Sequence, residues 1–186
     1  DFRERHNLKE DFLLTAGNLQ PHKNLAIVPQ ALDILRRQGR DIPVLAVAGF
    51  GDQQALIAAL PEGFPEDKSR CLSYLPETDL RQAYRLALAY VFPSLYEGFG
   101  LPVAEAQSSG APVIYADSTS LPEVAGDAGL PFYPESPEDL AVQIASILDD
   151  PDLRKQMVAK GFVQSSKFRW DRAGKTLWRV LSEAAG

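Results

Sequence analysis

One cysteine, one methionine and two histidines among 186 residues leave this chain poor in soft metal ligands and redox groups. Cys71 has no partner for an internal disulfide, and its strand-like setting reads as that of a small buried apolar residue. His6 and His22 are far apart and have no Cys, Asp or Glu at ligand spacing, so no metal site is expected. No serine occupies a Gly-x-Ser-x-Gly elbow, which removes support for a hydrolase triad. No stretch approaches the roughly 20 apolar residues of a membrane-spanning helix. Positive charge is also in deficit. Nineteen Lys and Arg face 25 Asp and Glu, a net charge of −6, which argues against a nucleic-acid partner. Repeats, low-complexity tracts and interdomain linkers are missing. No signal peptide is visible at Asp1, although a chain that starts without Met leaves room for a targeting segment or a preceding domain. A reducing, cytoplasmic setting fits these features.

What is present is an ordinary globular composition, 45% apolar and 24% charged, of a length suited to one domain over residues 1–186. Apolar runs alternate with helical patterns. Strands are predicted at Phe12–Ala16, Val44–Ala48, about Arg70–Tyr74, Ala89–Phe92, Pro112–Ala116 and Leu130–Tyr133. The proline in the last of these suggests the sheet edge. Helices are predicted from Leu25 to about Gln38, with Asn24 as cap and Gly39 as stop. Others run from Asp52 to Leu60, and from Asp79 to Leu88 behind a Thr78 cap. A short one covers Leu121–Ala125, with Ser120 and Glu123 in capping-box spacing. The last three run to Leu148, from Asp152 to about Gln164, and from Asp171 to about Ala184. Residues 61–69 read as a loop. Continuous apolar strands that alternate with helices imply an α/β fold, a doubly wound parallel sheet of about six strands with helices on both faces.

One stretch organises the rest. The apolar strand Ala89–Phe92 ends at Pro93. The chain then passes Glu97, Gly98, Phe99, Gly100 and Leu101 into a helix that opens at Pro102 and stops at Gly110. Glycines at 98 and 100 permit backbone shapes and a close approach that a β-carbon would block. Strand, tight glycine loop and helix start together make an anion site, with free N–H groups and the positive end of the helix dipole converging on it. Glu97 and Glu105 frame the loop.

This run resembles the signature of retaining glycosyltransferases of family four, which have the GT-B architecture. There a Glu is followed by seven residues and a second Glu, with Gly-Phe-Gly-Leu-Pro between them. The resemblance extends from about Phe12 to the last helix. It implies a Rossmann-like domain, the carboxy-terminal, nucleotide-sugar-binding half of such an enzyme; the amino-terminal half, which carries most of the acceptor site, lies outside the chain. It further implies transfer of a hexose from a GDP- or UDP-linked donor to a glycan or lipid-linked hydroxyl, with no cofactor. A mannosyl donor with GDP is favoured by the loop Gly17 to Asn24. A lipid-linked acceptor would bring membrane association on the cytoplasmic face through the missing domain. In the resemblance Glu97 stabilises the donor sugar, Glu105 binds the ribose, and Gly98, Phe99, Gly100 and Leu101 line the diphosphate. The loop after the first strand matches a Gly-Arg-x-x-x-x-Lys element through Gly17 and Lys23, with Asn18 in place of the arginine. Lys23 is the implied diphosphate ligand, and Tyr74 and Leu75 border the base.

Other readings compete. Lys23 is also an ordinary surface lysine, Tyr74 an ordinary core tyrosine, and His22 reads as exposed. Ser118, Thr119 and Ser120 place hydroxyls at another strand end, where capping accounts for Ser120. Trp170 and Trp178 read as packing residues. Gly49 to Gln54 imitates a dinucleotide fingerprint, but Gln54 replaces its third glycine and the loop follows the second strand, which disfavours NAD. The two carboxylates also suit a glycoside hydrolase pair, against which the phosphate-type loop between them argues. A binding module that holds nucleotide sugar without turning it over is the first rival, and fits the isolated domain better than turnover. Epimerisation or phosphorolysis on the same architecture is the second.

Overall fold

The computed structural model describes residues 1–186 other than Leu19, Phe50 and Gly186. Leu19 and Phe50 belong to two of the loops singled out above and lie outside the described residues. In chain order the elements are α1 (Phe2–Arg5), β1 (Phe12–Ala16), α2 (Ile27–Arg37), β2 (Val44–Ala48), α3 (Gln53–Ala58), β3 (Ser69–Ser73), α4 (Glu77–Leu86) and β4 (Ala89–Phe92). They continue with α5 (Leu101–Ser108), β5 (Val113–Ala116), α6 (Leu121–Ala125), β6 (Gly129–Phe132), α7 (Pro137–Asp149), α8 (Pro151–Ser165) and α9 (Trp170–Ala185). The six strands form one parallel sheet in the order β3-β2-β1-β4-β5-β6. Every residue of β2, β4 and β5 is buried, as strands covered on both faces must be. The edge strands β3 and β6 are only partly buried. The proline-bearing strand does sit at an edge.

Local chemistry accounts for most of the helices. Along α2, Ile27, Val28, Ala31, Leu32 and Leu35 recur at helical spacing and are all buried. Each fully buried Leu or Ile in such a stripe contributes about 1.5–3 kcal/mol. Asp52, Ser136 and Asp150 cap α3, α7 and α8 through side-chain oxygens that accept first-turn N–H groups.

Several boundaries differ from expectation. Asn24 does not cap α2. It closes a 3-10 turn, Pro21–Lys23, in left-handed conformation, and its side-chain amide donates instead to the Pro134 carbonyl at 2.9 Å. Thr78 lies inside α4, which begins at Glu77 with no side-chain cap. Residues 61–69 contain a 3-10 turn at Glu66–Lys68, and β3 already starts at Ser69, which leaves Tyr74 outside the strand. Cys71, on that edge strand, is half-buried. Pro102 takes the second position of α5, behind Leu101. Trp170 and Trp178 do not pack: α9 leaves them 85% and 75% exposed.

Two buried glutamines tie the short helix α6 to its neighbours. Gln107, on α5, donates to the Ala125 carbonyl at 2.9 Å, and Gln164, on α8, donates to the Val124 carbonyl at 3.0 Å. Replacing Gln107 with Leu keeps the volume and removes the donor. The variant should lose about 1–3 kcal/mol of stability in a urea titration, because the Ala125 carbonyl stays buried without that bond.

Candidate functional site

The chain winds from β1 to β3 in one direction and from β4 to β6 in the other, so β1 and β4 are neighbours whose onward connections diverge. Such a switch point opens a crevice beyond the strands' carboxyl ends. Two of the sequence-predicted loops, the one after β1 and the glycine loop after β4, meet there. A backbone bond joins them, from Leu95 N–H to the His22 carbonyl at 2.8 Å.

The β1 loop carries Gly17, Asn18 and Lys23. The Asn18 side-chain oxygen accepts from the Gln20 N–H at 3.2 Å, and the Lys23 N–H closes the next turn on the Gln20 carbonyl at 2.9 Å. These turns bring the lysine back over the sheet. Its Nζ lies 5.9 Å from the Phe92 ring centroid, within cation–π range, and donates to Glu97 Oε1 at 2.8 Å. Lys23 and Glu97 are 25% and 18% exposed, so this ion pair is partly sheltered from solvent. Burial, the largest single influence, pushes the Glu97 carboxyl up. The Lys23 hydrogen bond outweighs it together with the neighbouring Ser94 hydroxyl and the charges of Lys23 and His22, and the net displacement is below the usual carboxylate range. His22 itself is exposed, as expected.

Gly100 is the N-cap of α5 and adopts φ +95°. A β-carbon there would come within 2.6 Å of Leu121 Cδ2, so both conformation and space require glycine. Among the described residues, the N–H groups of Gly98, Phe99, Gly100 and Leu101 make no hydrogen bond. They are four consecutive free donors that follow directly on Glu97, the residue paired with Lys23, and lead into the positive end of an eight-residue helix. The arrangement can hold a dianionic group and stabilise charge that develops on it.

The loop after β5 supplies contacts that the sequence reading assigned elsewhere. Ser120 makes no side-chain cap on α6, and the capping-box bond expected with Glu123 is not formed. Its hydroxyl is directed at the glycine loop, on the carbonyls of Glu97 at 3.1 Å and Phe99 at 2.9 Å. Thr119 Oγ1 accepts the Glu97 N–H at 3.2 Å, and the Ser118 hydroxyl donates to the Ser94 carbonyl at 2.9 Å. The three hydroxyls were visible in the sequence. Their target was not, because it depends on β5 lying beside β4.

Glu105 stands one turn into α5, exposed, and lines a cavity of about 900 Å³ with Phe99, Leu101, Phe168 and residues of α9. Leu177, Val180 and Leu181 leave an apolar stripe of α9 exposed along this side. Tyr74 follows β3, two strands from β1, and is 87% exposed, so it is not a core residue. The Leu75 side chain is buried, which leaves only its main chain to meet a ligand. His6 is occupied by Asp79 at 3.3 Å. No group of three or more potential metal ligands occurs among the described residues, and no helix there is long and apolar enough to cross a membrane.

Comparison with known proteins identifies the family and the fold. The family model for glycosyl transferases group 1 matches residues 1–164. The chain is 36% identical to the O-antigen chain mannosyltransferase B of Escherichia coli over 164 residues, covering 87% of this chain and 43% of that protein. It is 33% identical to the serotype-specific mannosyltransferase WbdA of Escherichia coli over 172 residues, covering 90% of this chain and 21% of that one. It therefore spans less than half the length of these relatives. Among solved structures, sucrose-phosphate synthase from Thermosynechococcus elongatus superposes with a TM-score of 0.81 at 25% identity, over 99% of this chain and 49% of that one. Anabaena HepE in complex with UDP superposes with a TM-score of 0.83 at 19% identity, over 97% and 51% respectively, and at that identity shows the fold alone.

The Lys23–Glu97 pair makes a prediction with a definite sign. Because the folded-state carboxyl lies below its unfolded value, its contribution to stability is present above the unfolded pKa and is lost as pH falls through the folded one. Lys23→Met removes the largest influence that lowers the Glu97 carboxyl and leaves burial opposed by Ser94 and His22, so the carboxyl should move upward from its wild-type position. The variant should be less stable than wild type by about 1.5–3 kcal/mol at neutral pH, the range for hydrogen bonds to charged groups. That difference should shrink as pH falls below the carboxylate range. Denaturant titrations at pH 7 and pH 3, with carboxyl NMR on Glu97, measure both effects.

Proposed function

Because the chain belongs to the group 1 glycosyl transferases, we propose that it is the donor-binding domain of a retaining enzyme that moves a hexose from a nucleoside-diphosphate sugar to a hydroxyl of a glycan or lipid-linked acceptor. One observation carries the reading: four adjacent unbonded N–H groups, Gly98 to Leu101, follow directly on Glu97, which holds the Lys23 ammonium at 2.8 Å, at the switch point of the sheet. The mannosyltransferase relatives favour mannose as the hexose. The UDP and UDP-glucose complexes of HepE support a nucleoside diphosphate as the leaving group. GDP is our choice of nucleotide, with guanine as the base.

As the glycosidic bond of the donor breaks, negative charge grows on the diphosphate and positive charge on the sugar. The N–H cluster and Lys23 stabilise the first without rearrangement, since they are already in place. Glu97, held ionised, accepts hydrogen bonds from the sugar hydroxyls and stabilises the second. Asn18 stands where the family resemblance has an arginine, and its side-chain amide nitrogen is the donor it offers to phosphate. Glu105 accepts from the vicinal hydroxyls of the ribose, and the exposed Tyr74 ring with the Leu75 main chain borders the base. The helix dipole and Lys23 supply the positive charge, so the reaction is assigned no metal or other cofactor. A preceding domain carries the acceptor site and covers the cavity between α5 and α9. The reaction is placed in the cytoplasm, with any membrane association made through that domain.

The length of the relatives favours a division of labour in which this chain alone binds donor and the full-length enzyme turns it over. Calorimetry on this chain should show binding of GDP or UDP. A ligand at 100 times its Kd should add about 2.7 kcal/mol to stability, readable as a higher Tm. Lys23→Ala should weaken that binding about 10- to 100-fold. In the full-length enzyme Glu97→Gln should reduce transfer at least as steeply. A wild-type chain that binds neither nucleotide, or a Glu97→Gln enzyme with undiminished turnover, contradicts the respective assignment.

A further inference from the structure

We infer that Ser120 is a positioning residue that aims the N–H groups of Gly98 and Gly100, and that Thr119 is kept in a strained conformation to hold the start of the same loop. The inference rests on the donor-site reading for its purpose, but its geometry is independent of any ligand.

The argument starts from the planarity of the trans peptide. The C=O of one residue and the N–H of the next belong to one rigid unit and point in opposite directions. The Ser120 hydroxyl carries one proton and shares it between two carbonyls, Glu97 at 3.1 Å and Phe99 at 2.9 Å. Both carbonyls are thereby turned toward the β5–α6 connection. The N–H groups that follow them, on Gly98 and Gly100, must then point the other way. These are two of the four loop N–H groups that make no bond among the described residues. Gly98 is also open, with no atom within 4 Å of where a β-carbon would lie. A single side chain thus satisfies the alternate carbonyls of the loop and leaves the alternate donors free on the opposite side.

Thr119 fixes the other end. Its Oγ1 accepts the Glu97 N–H at 3.2 Å, so the two peptide groups that flank the Glu97 α-carbon are held by consecutive residues. Thr119 does this at φ +46°, a left-handed conformation that a β-branched residue avoids. Glycine would adopt that backbone with less strain but has no hydroxyl. With its main chain held, Glu97 can turn only its side chain, and that side chain is on Lys23. No group in this arrangement needs to move for the donors at 98 and 100 to be free.

The test uses this chain and three variants, Ser120→Ala, Ser120→Thr and Thr119→Gly. Without ligand, the Gly98 and Gly100 amide resonances should shift in Ser120→Ala and stay near their wild-type positions in Ser120→Thr. With GDP or UDP as probe, Ser120→Ala should bind about tenfold more weakly, and Ser120→Thr within about twofold of wild type. Thr119→Gly should weaken binding without lowering Tm, a split that a merely structural residue would not produce. Unchanged Gly98 and Gly100 resonances in Ser120→Ala would overturn the inference, as would unchanged affinity in a folded Ser120→Ala chain. If wild type binds neither nucleotide, the donor-site reading fails on its own, and the ligand-free resonances still decide whether Ser120 aims the loop.

Discussion

Two neighbouring strands that share a ladder and then part company set up everything else in this molecule. The winding of the sheet reverses between β1 and β4, so among the described residues no crossover helix fills the space beyond their carboxyl ends. The loop after β1 brings an ammonium group to that space. The loop after β4 brings a row of backbone donors and a carboxylate. Neither loop has the full chemistry alone. The strand ladder and the backbone bond from Leu95 to His22 hold them together.

The electrostatics at this point run against the molecule as a whole. The chain is acidic, with a net charge of −6, yet its crevice offers donors to an anion. The positive character comes mainly from oriented peptide groups and one lysine. Peptide dipoles do not change with pH and are not lost to proton transfer, which suits a crevice in which Glu97 lies 2.8 Å from the Lys23 ammonium group. Burial alone would tend to protonate that carboxyl. Its contact with Lys23 is the largest influence that offsets this and moves it below the usual carboxylate range, so the two side chains are better understood as one unit than as two.

The sheet was legible because its information is local. Continuous apolar runs located the six strands to within a residue or so at each end, and their alternation with helical patterns implied a parallel sheet. The glycine loop was legible for the same reason, since Gly98, Gly100 and Pro102 lie within five positions. What could not be read were the side chains whose partners are far along the chain. Ser120 and Glu123 have the spacing of a capping box, and local reasoning stopped there. The actual acceptors lie 21 and 23 residues earlier and become neighbours only when β5 docks beside β4. Asn24 was misread in the same way, because Pro134 O, its partner, is 110 residues distant. Trp170 and Trp178 failed differently. Helical periodicity shows that residues share a face, and it does not show whether anything in the chain covers that face.

The uncovered face and the free donors have a common physical meaning. A domain that stood alone would gain by burying the α9 stripe of Leu177, Val180 and Leu181 and by pairing the N–H groups of the glycine loop. It does neither among the described residues. Ser120 also occupies the carbonyls of Glu97 and Phe99, and Thr119 is strained at positive φ in holding the Glu97 N–H. Such costs are compatible with folding because the fully buried strands β2, β4 and β5 bear the stability while the loops beyond them need contribute little. The division between a rigid sheet and an unsatisfied rim leaves the crevice with donors to spare, and it follows from the chain's own packing before any ligand is considered.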